Sequence, residues 1–213
     1  MIELNKITKT YLTGGQQVNA LDNVSLKINR GEFVVIRGAS GSGKTTLLLT
    51  LGAMLNPTSG SYTFNGTDVY SMSGNERNRF RAENIGFVFQ MFHLLPYLTL
   101  LENVTIPTFG KNREQAKTLL NNLGLGARIT HKPFALSAGE KQRTAIARAL
   151  INNPEMILAD EPTGNLDPEN TAEVMRIFSR YHKQGGTVVV VTHGTEADEF
   201  ADRIISLKNG RIE

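Results

Sequence analysis

The sequence predicts an α/β fold: a parallel sheet with helices on its faces, accompanied by an antiparallel β portion and interrupted by a helical insertion. Three observations predict it. Short apolar runs at residues 33–36, 156–159 and 188–191 suit strands buried on both faces, as parallel strands are. Helical patterns lie between or after them, at residues 45–54, 169–181 and 196–201, and such alternation marks strand–helix–strand units. Residues 91–154 differ: they carry helical patterns at 114–123 and 140–152 and no persuasive strand.

The first thirty residues alternate instead of running apolar. Ile2-Glu3-Leu4-Asn5-Lys6-Ile7 and Val24-Ser25-Leu26-Lys27-Ile28 each put their apolar side chains on one face, with Gly14-Gly15 as a turn between them. Gly60-Ser61-Tyr62-Thr63-Phe64-Asn65-Gly66 alternates too, so an antiparallel sheet is expected beside the parallel core. The expected organisation is one domain over residues 1–213. Residues 1–90 and 155–213 form its α/β core with the antiparallel portion, and 91–154 form the helical insertion.

Phe33-Val34-Val35-Ile36 reads as a buried strand and Thr46-Leu47-Leu48-Leu49-Thr50-Leu51 as the start of a helix. Between them lies Gly38-Ala39-Ser40-Gly41-Ser42-Gly43-Lys44-Thr45, a complete G-x-x-x-x-G-K-[ST] loop. Strand, loop and helix form the context in which such a loop binds phosphate. Backbone N–H groups point inward, and the positive end of the helix dipole faces the anion. Gly38, Gly41 and Gly43 allow conformations and approaches that a Cβ would block. Lys44 supplies a mobile positive charge for the outer phosphates, and the Thr45 hydroxyl suits Mg²⁺. The expectation is a nucleoside triphosphate site.

Met156-Ile157-Leu158-Ala159-Asp160-Glu161 places two carboxylates at the end of a buried strand, where α/β sheets bind ligands. Asp160 can hold Mg²⁺ through water, and Glu161 can orient or deprotonate a water that attacks the γ-phosphate. Leu136-Ser137-Ala138-Gly139-Glu140 precedes the helical pattern of Lys141 to Leu150, and Ser137 with Glu140 fits a capping box. Such a helix start also offers N–H groups and a hydroxyl to a phosphate.

Composition bounds the class. The chain has 213 residues, enough for a sizeable core, and 20% are charged, which is ordinary globular usage. It has no cysteine, hence no disulfide framework or cysteine metal cluster. A formal net charge of +3 is too diffuse to argue for nucleic acid, which is not expected as a partner. Met1-Ile2-Glu3-Leu4-Asn5-Lys6 lacks the apolar stretch of a signal peptide, and no segment is apolar enough to span a bilayer. The expectation is a soluble, intracellular polypeptide whose membrane role, if any, comes through a partner.

The three motifs together resemble the ATP-binding cassette (ABC) superfamily: Walker A at 38–45, signature at 136–140 and Walker B at 156–161, in that order and spacing. The resemblance extends over essentially the whole chain. Tyr11 matches the aromatic that stacks on adenine, Gln90 the Q-loop glutamine, Gly164-Asn165-Leu166-Asp167 the D-loop, and His193 the switch histidine. It therefore implies a P-loop NTPase core that hydrolyses ATP with Mg²⁺. Glu161, His193, Gln90 and Lys44 would be catalytic, and Thr45, Gln90 and Asp160 would surround the metal. ATP would contact Tyr11, the loop from Gly38 to Thr46, and Ser137, Gly139 and Asp167. In this family the signature of one protomer covers the nucleotide of the other, so the resemblance implies an ATP-dependent homodimer.

A narrower likeness joins the segment from Phe92 to Val104, and Ala159 to Asp167, to the cassettes of macrolide-export and lipoprotein-releasing transporters. Cell-division and bacitracin-type exporter cassettes are close relatives. These imply a peripheral subunit at the cytoplasmic face, contacting a membrane subunit near residues 92–101, from Phe92 to Leu101. Two other classes use a similar engine. A soluble superfamily member usually carries coiled-coil insertions or two cassettes, and a P-loop kinase has no use for the signature helix. Three positions depart from the family: Ala138 in place of the first signature glycine, Gly194 where aspartate is common, and a short stretch at 107–113. Ala138 fits if its backbone has φ < 0 and is strained if φ > 0.

Overall fold

A computed structural model describes residues 2–213; Met1, part of the expected N-terminal stretch, lies outside the described residues. The chain begins with β1 (Ile2–Thr13), β2 (Gln16–Ile28), β3 (Phe33–Arg37), α1 (Lys44–Leu51), β4 (Ser59–Phe64), β5 (Thr67–Asp68), α2 (Gly74–Asn84) and β6 (Ile85–Phe89). It continues through α3 (Leu100–Thr105), α4 (Arg113–Asn122), α5 (Ala138–Leu150), β7 (Met156–Asp160), α6 (Pro168–Lys183), β8 (Thr187–Thr192), β9 (Arg203–Lys208) and β10 (Arg211–Ile212).

Two sheets result. The antiparallel sheet runs β2-β1-β4-β5, and the larger one runs β10-β9-β3-β8-β7-β6. Within the larger sheet, β6, β7, β8, β3 and β9 are parallel neighbours, and β10 pairs antiparallel with β9. Because side chains alternate along a strand, each central strand feeds two cores. Val34, Ile36, Leu158, Val189 and Val191 face α1 and the antiparallel sheet, meeting Leu47, Leu48, Leu51 and Tyr62. Phe33, Val35, Ile157, Val188 and Val190 face the helices, meeting Leu100, Ile146, Val174 and Phe178. Every residue of β8 is buried, which explains why an unbroken valine run survives there: each side of the strand is core.

The helical segments of 91–154 hold their own ends. Thr99 caps α3 and Ser137 caps α5, each with a reciprocal glutamate three residues on. No helix of the described residues is long and apolar enough to cross a membrane.

Two expectations need correction. The pattern at 196–201 forms only a 3-10 turn, Asp198–Phe200. The chain must drop at once into β9, with the Asp202 carboxylate accepting from the Phe33 N–H at 2.8 Å, and one turn cannot propagate as a helix. The pattern at 45–54 ends at Leu51 because Gly52 caps α1 and Ala53 takes φ +54°. A Cβ at Gly52 would overlap the Phe87 ring. Six elements go beyond the sequence reading: β5, α2, β6, α3, β9 and β10. α2 buries a single residue, Phe80, so it shows no apolar stripe.

Candidate functional site

The phosphate loop leaves β3 where a side chain has no room. A Cβ at Gly38 would overlap the Leu207 carbonyl and the Ser42 hydroxyl. Gly43 stands at φ +104° as the cap of α1, and a Cβ there would overlap the Ala20 carbonyl of β2. The loop is thus packed between the antiparallel ribbon and the C-terminal strands. Lys44 starts α1 and is buried; its ammonium donates to the carbonyls of Gly38 (2.7 Å) and Ala39 (3.1 Å). The loop's own oxygens hold the charge that a phosphate would take.

Strand register assembles the rest. Phe89, Asp160 and Val191 are aligned across β6, β7 and β8, so the residues that follow leave the sheet side by side. Those residues are Gln90, Glu161 and Thr192-His193. They stand at the C-terminal edge of a parallel sheet, beside the loop that follows β3. Together Ala39, Ser40, Gly41, Gly43, Lys44, Thr45, Thr46, Gln90, Asp160, Glu161 and His193 line one cleft of about 690 Å³.

The carboxylates are tied differently. The Thr45 hydroxyl donates to Asp160 Oδ2 at 3.0 Å. Burial holds the Asp160 carboxyl above its ordinary range; the Thr45 hydrogen bond and Lys44 oppose this, while Glu161 adds to it. A hydroxyl and a carboxylate at this separation form a hard-oxygen donor set, which suits Mg²⁺ bound by few protein oxygens plus phosphate. Glu161 has φ +45°, a left-handed conformation that a non-glycine residue adopts only when its surroundings enforce it. Its N–H donates to the Val191 carbonyl at 2.9 Å, and its carboxylate accepts from the Thr192 hydroxyl at 2.9 Å. His193 Nδ1 lies 2.9 Å from Glu161 Oε1, and Lys44 Nζ lies 3.9 Å from the same oxygen. The strained turn aims Glu161 into the cleft, where a water on a terminal phosphate would stand.

Four expected site residues are elsewhere. Tyr11 is 41% exposed on the ribbon, opposite Val18, with the Lys9 ammonium 5.4 Å from its ring centroid. Ser137 caps α5, accepting from the Glu140 N–H at 3.2 Å. Asp167 caps α6, accepting from the N–H (2.9 Å) and side-chain amide (2.7 Å) of Asn170. Gly139 backs onto that same Asn170, leaving no room for a Cβ. Ser137, Gly139 and Asp167 thus share one neighbourhood, outside the cleft of their own chain. Gly38 and Ser42 shape the loop without lining the cleft.

Two of the three departures from the family pattern, Ala138 and Gly194, have local explanations. Ala138 is the first residue of α5 with no positive φ, so a methyl group is tolerated. At Gly194 a Cβ would overlap the Glu196 carboxylate, which fills the space an aspartate side chain would need.

Sequence reasoning missed three organisers. The Arg148 guanidinium, on α5, donates to the carbonyl oxygens of Phe92 (2.7 Å) and His93. Both of those residues have positive φ, 47° and 48°, directly after the Q-loop. Asn103, fully buried, accepts from the Leu95 N–H and donates to the carbonyls of Leu95, Leu98 and Thr99. Asn165 donates to the Gln90 carbonyl at 3.2 Å. Arg148 and Asn165 reach across more than fifty residues of sequence, so no local pattern reveals them.

Proteins of similar sequence and fold point to one family. Residues 21–164 match the family described as ABC transporter. The chain is 49% identical to the macrolide export ATP-binding/permease protein of Chlorobaculum tepidum, over 100% of this chain and 33% of that one. It thus spans about a third of the length of such relatives. An uncharacterised ABC transporter ATP-binding protein of Methanocaldococcus jannaschii is 47% identical, over 100% of this chain and 97% of that one. Among solved structures, the cassette MJ0796 superposes with a TM-score of 0.94 at 42% identity, covering 100% and 97% of the two chains. That cassette is a dimer in a post-hydrolysis state bound to ADP and Pi. The chain belongs to the ABC transporter family, as an ATP-binding cassette and an ATPase.

Proposed function

We propose that this cassette binds two ATP molecules between two copies of itself and uses their hydrolysis to drive a separate membrane subunit. The observation that supports it best is the meeting of Lys44, Thr45, Asp160, Glu161, Gln90 and His193 at one cleft, with Ser137 and Gly139 on a different face. One protomer then has all of the phosphate-holding half of a site and none of its cover.

On ATP binding, Lys44 exchanges the Gly38 and Ala39 carbonyls for the outer phosphates. Thr45, Asp160 and Gln90 would hold Mg²⁺, which neutralises charge on the β- and γ-phosphates. Glu161 orients a water and takes its proton as the oxygen–phosphorus bond forms; the bond between the β-phosphate bridging oxygen and the γ-phosphorus breaks toward ADP. His193 steadies the γ-phosphate and holds Glu161 in place. Tyr11 offers its open face to adenine. Ser137 and Gly139 of the second copy complete the electrostatic site on closure, and release of product reopens it.

The membrane subunit would dock beside the Q-loop, which positions the cassette at the cytoplasmic face. Phe87, Phe89, His93, Pro107, Arg148 and Asn152 line a groove of about 310 Å³ there. In the adjoining segment Leu100 and Leu101 are buried, whereas Met91, Leu95 and Tyr97 are exposed. A groove lined mainly by apolar residues suits the apolar face of a short amphipathic helix. Residues 91–154 would move as a unit, carrying Arg148 against the Q-loop. Export of a macrolide-like compound, lipoprotein release and mechanotransmission are each compatible with this engine.

The test is Glu161→Gln with ATP and Mg²⁺, followed by size-exclusion with light scattering. Turnover should fall by at least about a hundredfold, the scale of removing a general base, and a dimer should accumulate. Wild-type turnover in the variant would remove Glu161 from its role; a monomer at saturating ATP would remove the sandwich.

A further inference from the structure

Gln142 lies in the second turn of α5 and is fully buried. Its Nε2 donates to the Pro162 carbonyl at 2.6 Å, across twenty residues of sequence. Its Oε1 is buried too, with no hydrogen-bond partner among the described residues. The amide cannot be turned round to relieve this, because its oxygen would then face the Pro162 oxygen. As packing alone the arrangement gains little, since one satisfied carbonyl is set against one stranded oxygen. What singles it out is the place of the carbonyl it holds.

Pro162 directly follows Glu161, whose left-handed φ of +45° is strained. A residue before proline is restricted further, because the proline ring crowds its backbone. Such a turn has to be held on both sides. Upstream, the Glu161 N–H donates to the Val191 carbonyl at 2.9 Å. Downstream, the Gly164 N–H donates to the Glu161 carbonyl at 3.2 Å, and Gln142 holds the carbonyl after that. The proline ring fixes its own φ at about −65°, so little freedom remains between the pinned carbonyl and the Glu161 backbone. We propose that Gln142 is a positioning residue for Glu161: through Pro162 it keeps the carboxylate aimed at the attacking water. The inference rests on Glu161 as the base proposed above and adds a group that does not line the cleft. Gln142 belongs to the 91–154 segment, so a shift of that segment against β7 reaches Glu161 through one side chain.

Gln142→Met keeps the length of the side chain and removes the donor. Its kcat should fall about tenfold or more, part of the roughly 10²–10⁴-fold that a general base contributes. KM for ATP and affinity for a fluorescent ATP analogue should stay within about twofold, the mark of an interaction used at the transition state. In the Glu161→Gln background the same change should alter residual turnover by less than about twofold, because no base is left to aim. Gln142→Glu places a carboxyl at the same point. Burial favours its neutral form, whose O–H can donate to Pro162, whereas the carboxylate cannot. Its turnover divided by that of wild type at the same pH should therefore rise as pH falls, while the ratio for Gln142→Met stays level. Titrations of the cleft itself cancel in both ratios. Wild-type kcat in Gln142→Met would overturn the role. So would an equal fold loss with and without Glu161, or a Gln142→Glu ratio that does not change with pH. Should Gln142→Met fail to fold, the Gln142→Glu ratio decides alone. Wild-type turnover in Glu161→Gln by itself would instead remove the base, and with it what Gln142 aims.

Discussion

The phosphate cleft and the start of α5 are both built on a helix N-terminus, yet they are finished to different degrees. In the cleft, side chains from four strand ends converge, and every charged group has a partner already: Lys44 with loop carbonyls, Thr45 with Asp160, Glu161 with His193. At α5 the polar groups are absorbed by a capping box, Ser137 with Glu140, and what stands free is Phe134. A cleft that satisfies itself can stay folded without ligand. On the two-copy reading proposed above, a second copy would complete the start of α5 from outside.

The sharpest way to break the comparison is in the cleft. Lys44→Ala should lower turnover by at least about a hundredfold, the scale of removing one preorganised charge from a reacting centre, and should weaken ATP binding, read by steady-state assay and analogue titration. A folded variant with normal affinity and turnover would take the loop out of the site. Arg148→Met acts where the two regions meet, since α5 reaches the Q-loop through that guanidinium. Freed of it, Phe92 and His93 should relax from their left-handed backbone and Gln90 should lose its fixed approach. We expect kcat to fall about tenfold with KM nearly unchanged, each charged hydrogen bond being worth about 1.5–3 kcal/mol of positioning. Asparagine tolerates the left-handed region well, so adding His93→Asn should recover part of the loss. An equal loss of kcat and affinity would make Arg148 merely structural.

The smallest effect concerns Asp160 in the nucleotide-free chain. Burial raises its pKa from 3.8, so the ionised form is disfavoured in the fold. Its contribution to stability is therefore present below the unfolded value and is lost as pH rises through the raised folded value. Asp160→Asn lacks that loss. Its melting temperature should exceed wild type at neutral pH, and the gap should close below about pH 4. A gap that persists in acid would point to packing instead of charge.

What could be read from residues alone follows burial. β3, β7 and β8 are buried on both faces, so their apolar runs stood out, and the glycine loop between β3 and α1 is punctuated by residues that no other function requires. α2 touches the core only through Phe80, and β9 shows two buried side chains in six, so neither left a pattern to find. The candidate site was legible as a set of strand ends. What was not legible is how its members hold one another: the left-handed turn at Glu161, the Asn103 staple and the Arg148 clamp depend on backbone that only the folded chain brings near.

One packing detail sets a gauge for the ligand. The Ala20 carbonyl sits between Gly43 and Gly210, close enough to each that neither could carry a side chain. Gly210 also donates to the Ser42 carbonyl at 2.9 Å and accepts from the Asp22 N–H at 2.8 Å. The ribbon that carries Tyr11 is therefore riveted to the loop that carries Lys44, and the span between them cannot stretch. On the binding mode proposed above, this rigid frame would fix the distance between the nucleoside and the phosphate loop. Sensing the terminal phosphate would fall to Lys44 and to the groups on separate strand ends, Gln90 and His193, with Ser137 supplied by the second copy.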